Sequence, residues 1–181
     1  IRPVFSVEPS VSDLIIAAYR SQNAAFVAGE SLAVLQQEAG TEPEDIVVVT
    51  RDAAGRVSVN QSIDLASGKP LGGGRWGALI AMLFLDRRKP VEGGVGLASQ
   101  FRAAGMNSDF LQDVVASLDV GGAAVGMRVR LLGAKRVTEK LKKLAGNPRI
   151  LQTRIGAEAE EALYDMQEQI PERAVQSNDL I

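Results

Sequence analysis

The sequence predicts an α+β domain: a ferredoxin-like α/β sandwich with an antiparallel sheet, interrupted by a glycine-rich apolar helical hairpin. Three observations carry this. Segments of strand length recur along the chain, segments of helical period stand between them, and a stretch rich in glycine and apolar residues separates two halves. The order read from the residues is βαββ, insertion, αβαβα. In 181 residues that order fits one core, because single cores commonly close at roughly 100 to 150 residues.

Residues 1–12, with Pro3 and Pro9, lack a sustained period and are expected to be an extended arm. The chain begins Ile1-Arg2-Pro3 rather than with methionine, so a piece upstream is expected. Leu14-Ile15-Ile16-Ala17-Ala18-Tyr19 is an apolar run of strand length, after which Ser21 or Asn23 is placed to cap a helix. Ala25, Ala28, Leu32, Leu35 and Ala39 follow at helical spacing, and Gly40 suits the left-handed position that ends a helix. Ile46-Val47-Val48-Val49-Thr50 has the densest β-branching in the chain. Asp52-Ala53-Ala54-Gly55 then makes a turn, and Val57, Val59 and Ile63 line one side of a second strand.

Beyond the insertion, Ser108-Asp109 opens a helix carrying Leu111, Val114, Val115 and Leu118. Val125, Met127, Val129 and Leu131 alternate with Ala124, Gly126, Arg128 and Arg130, the pattern of a strand with one buried face. A helix is expected over 137–145, a strand over 150–155 and a last helix over 157–169, stopped by Pro171. The domain is thus drawn as 13–171, with an insertion over 72–105 and a flexible tail over 172–181. With helices on one face only, the other sheet face carries Ser58, Asn60, Arg128, Arg130, Gln152 and Arg154. A solvated face is the plain account of it; a subunit interface or ligand surface is the alternative.

Composition excludes much. Hydrophobic residues make 46% of the chain and charged residues 23%, as in ordinary globular proteins. Aromatics are only 4%, too few for the stacking platforms of single-strand nucleic-acid binders. A formal charge of −2 also opposes a polyphosphate partner. With no cysteine and no histidine, the chain lacks a thiolate nucleophile, an imidazole base and the usual structural zinc sites. Asp13, Asp45, Asp52 and Asp64 form no recognisable acid–base pair, and Asp52 suits its own turn. No catalytic residue, cofactor or metal is therefore assigned, and a non-enzymatic role is expected.

In the insertion, Gly72-Gly73-Gly74-Arg75 leads into Trp76-Gly77-Ala78-Leu79-Ile80-Ala81-Met82-Leu83-Phe84-Leu85, which Asp86-Arg87-Arg88-Lys89-Pro90 ends abruptly. Gly73, Gly77 and Ala81 recur every fourth residue, as do Gly94 and Ala98, giving ridges of small side chains where another backbone can come close. About ten apolar residues make roughly 15 Å of helix, half of a hydrocarbon core, so the run cannot cross a bilayer alone. Three accounts stay open: a hairpin tucked against its own domain or a sister subunit, insertion into a bilayer interface with Arg75, Arg87, Arg88 and Lys89 toward headgroups, and a phosphate-cradling loop. The last fails on context. Gly68-Lys69-Pro70-Leu71-Gly72 lacks the Walker order, and Gly94-Val95-Gly96 follows no strand.

Taken together, Ser12-Asp13-Leu14-Ile15-Ile16-Ala17, Asp45-Ile46-Val47-Val48-Val49-Thr50-Arg51-Asp52 with Gly55, Gly77 to Leu85, Asp109-Phe110-Leu111 and Arg128-Val129-Arg130 resemble the bacterial family known as domain of unknown function 1269. The resemblance spans nearly all of residues 13 to 166. It departs from the family pattern at Asp86-Arg87-Arg88-Lys89, Gln100 and Arg102, which interrupt the apolar arm, and in the extra arm through Ser10. It implies the fold and a membrane or assembly role, and carries over no catalytic residue.

The expected function is a non-enzymatic structural or assembly protein, self-associating as a homo-oligomer or docking as a subunit of a larger complex or on a membrane surface. The contact residues are Gly73, Trp76, Gly77, Leu79, Ile80, Ala81, Leu83, Phe84, Gly94 and Ala98. A cytoplasmic setting, peripheral to the inner membrane, accompanies this expectation. The alternative is a small-molecule sensor in which Arg128, Arg130 and Arg154 hold an anionic ligand.

Overall fold

β1 (Ser12–Tyr19) forms the middle of a sheet because its residues are apolar on both sides of the strand: Leu14, Ile16 and Ala18 point one way, Ile15, Ala17 and Tyr19 the other, and all are buried. The computed structural model describes residues 12–40, 45–61, 79–80, 82–84, 101–130, 133–168 and 179–180. The arm before Ser12 and most of the insertion lie outside these. Ser12, assigned to the arm from the sequence, is already strand.

α1 (Gln22–Ala39) starts where Ser21 Oγ accepts from the Ala24 amide at 3.2 Å and ends at Gly40, whose φ of 66° most side chains resist. β2 (Asp45–Arg51) and β3 (Val57–Gln61) form the expected hairpin. Asp52 Oδ1 holds the turn by accepting from the amides of Ala54 at 2.9 Å and Arg56 at 2.8 Å, the turn role read from the sequence. α2 (Ser108–Ser117) is capped by Asn107, one residue before the expected start; its Oδ1 accepts from the amides of Asp109 and Phe110. β4 (Ala123–Val129), α3 (Ala134–Lys143), β5 (Arg149–Ile155) and α4 (Ala157–Glu168) follow as expected within a few residues. β6 (Asp179–Leu180) corrects the flexible tail at its end, since these two residues pair with Ser58 and Val57.

The six strands lie in the order β5-β1-β4-β2-β3-β6, every neighbouring pair antiparallel. The architecture is α+β with an antiparallel sheet. The expectation of helices on one face is corrected: both faces are covered. On the first, Leu14, Ile16, Val47, Val49 and Ile155 pack under Phe110, Leu111 and Val114 of α2, Leu163 of α4, and Leu79, Ile80, Leu83 and Phe84. On the second, Ile15, Ala17, Ile46, Val48, Val125 and Met127 pack under Ala25, Ala28 and Leu32 of α1 and Val137 and Leu141 of α3. Each fully buried Leu, Ile or Val contributes about 1.5–3 kcal/mol, and the small residues Ala124 and Gly126 in β4 face packed side chains rather than water.

Candidate functional site

The described part of the apolar run from Trp76 to Leu85 is a short helical turn. Leu79, Ile80 and Met82 are helical, Leu83 and Phe84 form the turn after them, and the Leu83 amide donates to the Ile80 carbonyl at 3.0 Å. Leu79, Ile80, Leu83 and Phe84 are all buried in the first-face core.

Two features of the sheet receive this turn. At Gly126, in the middle of β4, an added Cβ would stand 2.8 Å from Ile80 Cγ2, 3.4 Å from Ile16 Cδ1 and 3.5 Å from Val47 Cγ1. The bare backbone there is what lets Ile80 lie on the sheet, the usual reason for glycine inside a strand. Arg51, the last residue of β2, reaches across: its Nη2 donates to the Phe84 carbonyl at 2.6 Å and its Nη1 to the Gly55 carbonyl at 3.3 Å. A short charge-assisted bond of this kind fixes both partners. Gly126 under Ile80 and Arg51 on Phe84 therefore form a mount that holds the apolar run at Ile80 and Phe84 in a set place.

A polar cluster occupies the same face, at the end of the sheet where β4 finishes and α4 begins. Glu160 of α4 is buried, and its Oε1 pairs with Arg128 Nη1 at 3.2 Å and Arg130 Nε at 3.4 Å. The Arg128 side chain is 12% exposed and that of Arg130 40%, so the first ion pair is screened far less than the second. Glu160 Oε2 and Ser12 Oγ are buried there without a protein hydrogen-bond partner among the described residues.

The three arginines expected to share an anion are not brought together. Strand alternation puts Arg154 with Ile150 on the face covered by α1 and α3, directly across from Asp13, where it is exposed. The polar face read from the sequence divides in the same way: Ser58, Gln152 and Arg154 lie on one side of the sheet and Arg128 and Arg130 on the other. Gln152 Nε2 donates to Asp13 Oδ1 at 3.4 Å.

Of the expected contact residues, Leu79, Ile80, Leu83 and Phe84 face their own core, while Gly73, Trp76, Gly77, Ala81, Gly94 and Ala98 lie outside the described residues. Sequence reasoning missed Arg51, Gly126 and Glu160. Gly126 carried a signal, being a glycine within an otherwise regular strand; Arg51 and Glu160 carried none, because their partners are 33 and 32 residues away. Among the described residues no group of acidic side chains could hold a metal ion, and no helix is long and apolar enough to cross a membrane.

Residues 70–168 match the model of a family described as "Protein of unknown function (DUF1269)". The match takes in more than half of the chain, from the insertion through α4. No curated protein and no solved structure matches the chain.

Proposed function

The chain belongs to the DUF1269 family of proteins of unknown function, and from that footing we propose that it is a non-enzymatic structural or assembly module. It self-associates, or docks on a larger complex or membrane surface, through the glycine-rich segment 72–98. The observation that carries this is the mount: Ile80 seated over Gly126 and Phe84 gripped by Arg51. A segment anchored at Ile80 and Phe84 is tied to the domain within its own length. Leu79, Ile80, Leu83 and Phe84 are buried in the domain's own core, so we assign the contact to Gly73, Trp76, Gly77, Ala81, Gly94 and Ala98; Gly73, Gly77 and Ala81, and Gly94 and Ala98, have the small-residue spacing that suits close backbone approach.

We also infer that β1, α1, β2, β4, α3 and β5 make a ferredoxin-like unit. The strand order β5-β1-β4-β2 supports it, as does the placing of α1 and α3 over one face; β3 and β6 then extend the sheet edge beside β2. The anion-sensor alternative has less support, since Glu160 already pairs with Arg128 and Arg130 and Arg154 stands on the other face.

Gly77→Leu and Ala81→Leu test the assembly role, because each adds bulk to the small-residue ridge. Light scattering after size exclusion, with and without liposomes, should show a smaller particle or lost lipid capture. A particle of the same size and lipid affinity in both variants would sink the proposal.

A further inference from the structure

α1 and α3 lie side by side on the second sheet face. Phe26, Val27 and Val34 are exposed by 38, 45 and 45%, so α1 supplies three of the five large exposed apolar side chains among the described residues. Val27, Glu30, Val34 and Glu38 follow one another at i, i+3, i+7 and i+11, a single stripe along the side of α1 opposite buried Ala28 and Leu32. That stripe alternates apolar and acidic. On α3, Val137 and Leu141 are buried, and the exposed positions are Lys135, Arg136, Glu139, Lys142 and Lys143. Four cations against one carboxylate leave +3 there, in a chain whose net charge is −2.

We propose that this two-helix face is a self-complementary interface on which a second copy of the chain docks, α1 of each copy lying against α3 of the other. A two-fold arrangement brings the acidic stripe of one protomer onto the basic helix of its partner twice, and Val27 and Val34 are covered at the centre of each contact. An anionic lipid surface fits less well: Glu30 and Glu38 stand in the same layer as the lysines and would face the headgroups. The basic last turn of α3 also complements its own helix dipole, but that accounts for neither the exposed valines nor the acidic residues spaced between them on α1. The 18 residues of α1 span about 27 Å and the 10 of α3 about 15 Å, so at roughly 10 Å of width each the two helices offer on the order of 400 Å² per protomer. That is below the standard size of a specific interface, so the dimer is weak and salt-sensitive. The interface is separate from the glycine-rich segment and does not depend on it.

Sedimentation of the whole chain at about 50 and 500 mM salt tests this. The native protein should dimerise at low salt and dissociate at high salt. Glu30→Lys with Glu38→Lys, and separately Lys142→Glu with Lys143→Glu, should each give monomers at low salt, while an equimolar mixture of the two variants should recover a dimer, because acid then meets base in both halves. That recovery also shows that both variants fold; Glu30→Gln with Glu38→Gln should weaken the dimer less. A monomer at all concentrations, or a dimer indifferent to both charge reversals, overturns the inference. So does a native monomer that binds phosphatidylglycerol vesicles and loses them on Lys142→Glu with Lys143→Glu, which would assign α3 to lipid.

Discussion

Gly126→Ala is the sharpest test of how the insertion is mounted. The glycine is not among the residues of positive φ, so alanine can adopt the backbone and the whole cost is steric. The new Cβ would meet Ile80 Cγ2 at 2.8 Å, roughly 0.7 Å inside the closest comfortable carbon–carbon separation. That methyl sits on a β-branched carbon, so it cannot swing clear without an unfavourable χ1. Overpacking of this kind costs about 1–3 kcal/mol, while replacing glycine by alanine recovers about 0.4–1 kcal/mol through the unfolded chain. A net loss of about 1–2 kcal/mol is expected, read as a lower urea midpoint at unchanged m-value. Ile80→Ala alone should cost about 2–5 kcal/mol. In the Ile80→Ala background, however, Gly126→Ala should be neutral or mildly stabilising, giving a coupling of about 1–3 kcal/mol. Equal effects of Gly126→Ala in both backgrounds would show that Ile80 does not rest on β4 at this point.

Three further outcomes follow from the packing. Glu160→Gln keeps the side-chain volume but removes the charge shared by Arg128 and Arg130, and should lower stability by about 1–3 kcal/mol in urea; Arg130→Gln, at the more exposed pair, should cost under about 1 kcal/mol. Burial pushes the Tyr19 phenol above its ordinary value of 10.0, and its hydroxyl finds no protein partner among the described residues. The folded protein therefore holds this proton more tightly than the unfolded chain, and the associated stability is full below pH 10.0 and falls as pH rises through the raised value. Tyr19→Phe should flatten that alkaline limb and raise stability at neutral pH by about 1 kcal/mol, both read from thermal melts across pH. Asn107→Ala removes the cap of α2 and should cost about 1 kcal/mol, with faster amide exchange at Asp109 and Phe110 as the local signature.

Much of the fold was legible because its signals are local. Ser21 before an alanine-rich helix, Gly40 after it, and Asp52 opening a tight turn each act within a few residues, and the structure puts them where that chemistry places them. The number of covered faces was harder to read. Ala124 and Gly126 look like the weak side of an alternating strand, and small residues have the same pattern whether they meet water or a close-packed neighbour. What distinguishes them is Ile80, 46 residues earlier in the chain. The runs Ile15-Ile16-Ala17 and Val47-Val48-Val49, apolar at consecutive positions, were the better guide to a sheet buried on both sides.

By itself the sequence determined the order of the described elements from β1 to α4, the antiparallel α+β class, the family, and the absence of thiol and imidazole chemistry, because composition, periodicity and capping are properties of neighbouring residues. The tertiary structure decided that Arg128 and Arg130 share Glu160 while Arg154 faces away, that Arg51 holds Phe84, and that the apolar turn lies on its own sheet. Those outcomes depend on strand order and on which side of a strand each residue falls, and a chain reveals neither until pairing between distant segments sets the register.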